Sequence, residues 1–144
     1  MMTASVRENA LTTLLTVIRS ACPQAERETV TPERVGPDGL VILRDGEPGV
    51  PDITLSPLTY SYDHRAELEL FVPTTATDDG AAALDRLART LGTAFAADRR
   101  LGGAVDWLDW SPPATTGLAV SGGAPIRAAF LTVTLTYTTT NPCQ

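Results

Sequence analysis

Lysine is missing from this chain: all 11 of its basic residues are arginines. No lysine can therefore contact a phosphate, and neither GxGxxG after a strand nor GxxxxGK[ST] occurs, so nucleotide binding has no support. Histidine occurs once, as His64, and cysteine twice, as Cys22 and Cys143. One histidine and two distant cysteines without CxxC spacing cannot supply a zinc site with its usual ligands. The two cysteines are expected to be free thiols in a reducing cytoplasm. No apolar run approaches the length of a bilayer span. The polar, mixed stretch 1–10 is not expected to act as a secretory signal. Basic surplus is lacking too: the net charge is −6. That argues against a nucleic-acid-binding surface, which is normally basic and clustered.

What is present is ordinary globular material. Apolar residues make up 43 % of 144 residues, enough for one domain over 1–144 with a core that needs no disulfide or metal. The absence of lysine and the many Ala, Gly and Pro residues fit a GC-rich coding bias.

The apolar spacing predicts a first helix over 5–21, with Val6, Ala10, Leu11, Leu14, Leu15 and Ile18 on one stripe. Ser5 and Glu8 stand in capping-box positions, and Pro23 stops the helix. Residues 24–35 read as an extended, polar segment, followed by a turn cluster at Gly36, Pro37, Asp38 and Gly39. A short strand over 40–43 leads to a turn at Asp45-Gly46 and an exposed loop over 45–49. Residues 53–62 are broken by Pro57. Over 65–72 the alternation is clear: Ala66, Leu68, Leu70 and Val72 face one side, Arg65, Glu67, Glu69 and Phe71 the other.

A second helix is predicted from Asp78-Asp79-Gly80 to about Ala97. Leu84, Leu87, Ala88, Leu91 and Phe95 line its inner face, and Asp85 and Arg89 make an i,i+4 pair on its outer face. Gly102-Gly103 ends the helical region. A strand over 104–111 carries Trp107 and Trp110, a small-residue loop fills 112–123, and the longest strand candidate spans 124–139. Helices and strands do not alternate in βαβ fashion, which argues against a parallel doubly wound sheet. The expected class is α+β: a mostly antiparallel sheet with two helices packed on one face.

Candidate chemistry is sparse. His64 lies in Tyr62-Asp63-His64-Arg65 at a strand start, where a turn or surface role is expected. Cys22 follows a helix end, the wrong place for an activated thiolate. Asp45, Glu47 and Asp52 do not match a calcium loop and read as a solvated acidic turn. Asp106 and Asp109 are three apart on a strand and point to opposite faces, so they do not converge for acid–base work. Trp107 and Trp110 diverge by the same rule, one inward and one outward. An outward tryptophan is an interface anchor. No cofactor is expected, and no enzyme.

The stretch Ala97-Asp98-Arg99-Arg100-Leu101-Gly102-Gly103-Ala104-Val105 resembles the "aDptLGGlv" segment that follows the long helix in small phage tail-assembly proteins. The closing segment from Ala128 to Thr139 resembles that family's terminal strand, and the opening Arg7 to Ile18 its first amphipathic helix. The family is that of the tail-terminator (tail completion) proteins of long-tailed bacteriophages and gene transfer agents. Residues 24–57 depart most from its pattern.

The resemblance implies a structural virion protein, assembled in the bacterial cytoplasm and placed at the head-proximal end of the tail. Such proteins form hexameric rings that cap the tail tube, end its polymerisation and dock to the head connector while DNA passes through. The expected partners are copies of the chain, the tail tube protein and the connector or stopper protein, with no membrane. A closed ring needs two different patches per subunit. The interface candidates are Phe71, Trp107, Trp110 and the small-residue loop over 114–124, with Thr115, Thr116 and Leu118. Asp45, Glu47, Asp78 and Asp79 are candidates for an acidic channel lining that repels phosphates. The alternatives are another head–tail neck protein, a small-ligand-binding domain, or a group-transfer enzyme.

Overall fold

The computed structural model describes residues 3–32, 34–118 and 125–144. Two helices lie on one face of a seven-stranded, mostly antiparallel sheet, an α+β fold. Helix α1 (Val6–Ala21) buries Ala10, Leu11, Leu14 and Ile18, the stripe expected from spacing. The Ser5 hydroxyl accepts the Glu8 N–H at 3.0 Å, satisfying one orphan donor of the first turn. The Glu8 carboxylate pairs with Arg27.

The strands are β1 (Glu26–Arg27), β2 (Leu40–Glu47), β3 (Asp52–Leu55), β4 (Leu58–Pro73), β5 (Trp107–Trp110), β6 (Ala114–Leu118) and β7 (Ile126–Thr139). The main order is β1-β2-β4-β7-β5; β3 pairs with β4, and β6 with β7. Among the described residues only β1 and β2 run parallel. The centre is the long β4–β7 pair, in unbroken register from Tyr60↔Thr139 to Pro73↔Ile126.

Helix α2 (Ala81–Ala97) begins at Gly80, whose φ of +80° suits glycine. Asp78 and Asp79 lie just outside, their carboxylates accepting the N–H groups of Gly80 and Ala81. The expected Asp85–Arg89 ion pair is absent among the described residues. Leu84, Leu87, Leu91 and Phe95 face the sheet. Together with α1 they cover Val41, Leu43, Ala66, Leu68, Leu70, Val72, Leu108, Leu131, Val133 and Leu135 in the main core.

The structure corrects two expectations about elements and gives the form of a third. Asp45-Gly46 does not turn the chain: β2 runs on to Glu47, and the register with β4 shifts between Arg44 and Glu47. This is a β-bulge with a left-handed glycine (Gly46, φ +67°), and the residue pair that signals a turn suits it equally. The segment broken by Pro57 is a hairpin, β3 and β4 joined by Ser56-Pro57. Residues 114–118, expected in a loop, form β6, because the first half of β7 otherwise has an unpaired edge. The rest of that expected loop, 119–124 with Gly122-Gly123, lies outside the described residues.

The second face of the sheet is mostly polar, but one end carries a small core of its own. Phe71, Ile42, Ile126 and Ala128 are buried there, with Val35 and Leu40 packed against them. Phe71 is 0 % exposed. It is therefore not a surface for another copy, and its place among polar neighbours reflects cover supplied from within the chain.

Candidate functional site

Three places concentrate structure beyond ordinary packing: the β5 edge, the bulge of β2, and the β3–β4 hairpin. The β5 edge is built by the loop that follows α2. Asp98 accepts the N–H groups of Arg100 at 3.1 Å and Gly102 at 2.7 Å, which folds the chain back on itself. Leu101, Gly102 and Gly103 all take positive φ, at 48°, 66° and 98°. For Leu101 this costs energy, offset by burial of its side chain in the main core. The Asp-x-x-Leu-Gly-Gly pattern is thus a turn that plugs the core and aims Arg99 sideways.

Arg99 wraps β5. Its Nη1 donates to the Leu108 carbonyl at 3.0 Å, and its guanidinium carbon lies 4.9 Å from the Trp107 ring and 4.4 Å from the Trp110 ring. The tryptophans diverge as their spacing requires. Trp110 turns to the helix side and packs on Phe95 at 5.4 Å, while Trp107 turns to the polar face and stays 50 % exposed. Arginine bridges both because it passes around the strand edge between them. A cation over two indole faces is stabilising, and the bonded carbonyl removes an acceptor that an added strand would use.

The bulge holds a polar knot. Arg27 grips Asp45 through two bonds, Nε to Oδ1 at 2.7 Å and Nη2 to Oδ2 at 2.9 Å, and reaches Glu8 of α1 at 3.0 Å. Arg7 adds a pair at 3.6 Å to the same carboxylate. The bidentate guanidinium holds Asp45 below the usual carboxylate range. Asp45 is thus committed inside the protomer and leaves the set of channel candidates. His64 completes the knot. It is 0 % exposed, not at a surface turn. Its Nε2 faces the Asp45 carbonyl, which can only accept, so Nε2 carries the proton. Nδ1 then accepts from the Tyr137 hydroxyl at 2.8 Å. Burial, aided by Arg7, pushes its pKa down, while burial pushes Tyr137 up to about 12. A neutral imidazole with both nitrogens satisfied is a structural tie between β2, β4 and β7.

The hairpin is the opposite of a knot. Ile53, Leu55 and Leu58 share one face, the side that carries the core farther along β4, but neither helix reaches them. Leu55 is 80 % exposed, Ile53 54 % and Leu58 44 %. Val50, at the base, is 95 % exposed. Sequence reading passed over this strip. The available signal was three large aliphatic residues around a proline turn, just where strand chemistry continues past the helices' reach.

The remaining candidates fall into place around these features. Trp107, Trp110, Thr115, Thr116 and Leu118 all belong to β5 and β6, which flank the same side of β7, so the structure gathers them along one edge, with Phe71 on the other side of β7, in register with Thr116 through Ala128. Glu47 is exposed beside Arg65, whereas Asp78 and Asp79 lie at the far end of β4. Asp79 pairs with Arg127, which is opposite Val72. Arg65 and Val72 are about 23 Å apart along an extended strand, so these carboxylates can line one channel only if it runs along the strands. Cys22 is a buried free thiol and Cys143 an exposed one. No helix among the described residues is long and apolar enough to cross a membrane. Among them no three histidine, cysteine or acidic side chains cluster as metal ligands.

No family model matches the chain, and no curated protein matches it.

Proposed function

We propose that this chain is a ring-forming structural subunit of the phage tail-terminator kind, which caps the tail tube and joins it to the head connector. The observation that carries the reading is a pair of unlike apolar patches at opposite edges of one sheet: the bare aliphatic hairpin on one side and Trp107 on the other. Exposed apolar clusters mark association surfaces, and two different patches per subunit are what a closed ring requires. The Asp98–Gly103 turn adds support, since the segment that resembles the family builds the Trp107 edge. Glu47, Asp78 and Asp79 remain exposed acidic candidates for a channel wall past which DNA slides. In this reading the working place of the protein is the virion, at the head-proximal end of the tail.

The test is the mass of the purified protein across a wide concentration range, by light scattering after size exclusion, followed by negative-stain imaging. A ring of about six subunits with a central hole is the expected result. A compact dimer without a hole overturns it. In a phage or transfer-agent background, replacing Glu47, Asp78 and Asp79 with neutral residues is expected to slow DNA passage. Unchanged ejection removes them from the channel.

A further inference from the structure

We infer that segment 26–28 is a built-in guard, locked by Arg27, which occupies the outer edge of β2 and keeps that strand from pairing with β2 of a second copy. The inference is independent of the ring reading. Leu40-Val41-Ile42-Leu43 is an uncharged apolar run with high strand preference and no proline, the composition that pairs with copies of itself. Both faces of the run are already used: Val41 and Leu43 lie in the main core, Ile42 in the second. One edge is taken by β4, from Leu40↔Phe71 to Arg44↔Glu67. Only the other edge is left for another chain. Successive residues of an antiparallel strand aim their backbone groups at opposite edges. The Leu43 carbonyl accepts from the Glu28 N–H, so Val41, Leu43 and Asp45 point away from β4, and Ile42 and Arg44 toward it.

Each outward position is met from within the chain. The Leu43 carbonyl takes the Glu28 N–H at 2.9 Å. The Asp45 N–H donates to Glu28 Oε1 at 2.7 Å. The Val41 N–H faces the Cys22 sulfur. Glu28 makes both of its bonds at a φ of +52°, a conformation that costs a non-glycine residue energy. The guard does not create a new hazard, because β1 has only 2 residues and is too short to template another strand.

The ladder alone cannot hold the guard. It is parallel and spans only Glu26↔Ile42 and Arg27↔Leu43, too little pairing to persist by itself. Side chains supply the rest. The grip of Arg27 on Asp45 at 2.7 and 2.9 Å pins the guard to the bulge, and its ion pair with Glu8 at 2.8 Å pins it to α1. An arginine thus stands near each end of the main strand order, Arg27 at β2 and Arg99 at β5.

The experiment compares the full chain with Arg27→Ala, by residue-resolved amide hydrogen exchange and by light scattering. In the dilute variant the outward amides of Leu43 and Asp45 are expected to exchange roughly tenfold faster, while Ile42 and Arg44, which face β4, keep their protection. On concentration the variant is expected to form species that wild type does not, and Leu43 and Asp45 regain protection in them. Equal acceleration at Ile42, Leu43, Arg44 and Asp45 shows that Arg27 only holds the fold, and overturns the guard. Unchanged exchange at Leu43 and Asp45 overturns the lock. A variant with an open edge that associates no more than wild type overturns pairing through β2. So does associated material in which Leu43 and Asp45 still exchange fast.

Discussion

Strand β4 keeps one alternating pattern for 16 residues, yet its two halves live in different surroundings. From Ala66 to Val72 one face lies beneath both helices, and near Phe71 even the other face is closed by the small second core. From Leu58 to Ser61 the same alternation continues, but only Tyr60 still packs on the main core, while Leu58 and its partner Leu55 are exposed. Between them sits the knot of His64, Asp45 and Arg27. Periodicity therefore reports which side of a strand a residue takes, while cover depends on where other elements stop. An apolar residue beyond that limit stays exposed.

The largest expected effect tests the covered half. Phe71→Ala should cost about 3–5 kcal/mol in a denaturant titration, as for other buried aromatics. A cost under about 1 kcal/mol, within the range of surface substitutions, would place Phe71 outside a true core. Next comes the boundary. A Cβ at Gly46 would lie 1.8 Å from the Arg65 carbonyl oxygen, at a φ unsuited to other residues. Gly46→Ala should therefore cost about 2–4 kcal/mol, and a neutral result would mean the bulge relaxes freely.

The knot also sets a pH dependence. The His64 value is depressed below 6.5 in the folded chain, so the unfolded chain takes up this proton first as pH falls. Stability should be complete above about pH 6.5 and decline below it, with a further loss through the carboxylate of Asp45 beneath its ordinary 3.8. Denaturant titrations from pH 8 to pH 5 measure the first part, and His64→Gln should flatten it. Arg99→Ala should cost only about 1 kcal/mol, the worth of a stacked cation and one bond. It should also make the β5 edge stickier by light scattering. Smallest of all, Leu55→Ser should stay within about 0.5 kcal/mol of wild type. A larger loss would show that the hairpin is covered within the protomer and would erase the contrast between the halves.

Much of the architecture was legible from spacing. The stripes of α1 and α2 and the alternation of β4 and β7 are long enough that the wrong period cannot imitate them. The class followed from their order. The misreadings share a cause, since each turned on a residue whose local signal fits two structures. Asp45-Gly46 serves a turn or a bulge, and only pairing with Arg65 decides. Ala114 to Leu118 carries small residues that fit a loop, yet the open side of β7 recruits it. Phe71 on a polar face suggested an external partner because the cover from Val35 and Leu40 is distant in sequence. Trp107 was singled out by its aromatic character and is half exposed, while the exposure of Leu55 is a fact of three dimensions that spacing does not show.

The central pairing of β4 with β7 has a consequence for the order of events after synthesis. Its partners are separated by 53 residues at Pro73↔Ile126 and by 79 at Tyr60↔Thr139. Every bond of that ladder must close a long loop containing α2, so this topology folds slowly for its size. The β3–β4 hairpin closes locally, through two residues between Leu55 and Leu58. A nascent chain can thus form this hairpin, with Leu55 exposed, before β4 has found β7, so the body of the sheet waits on β7.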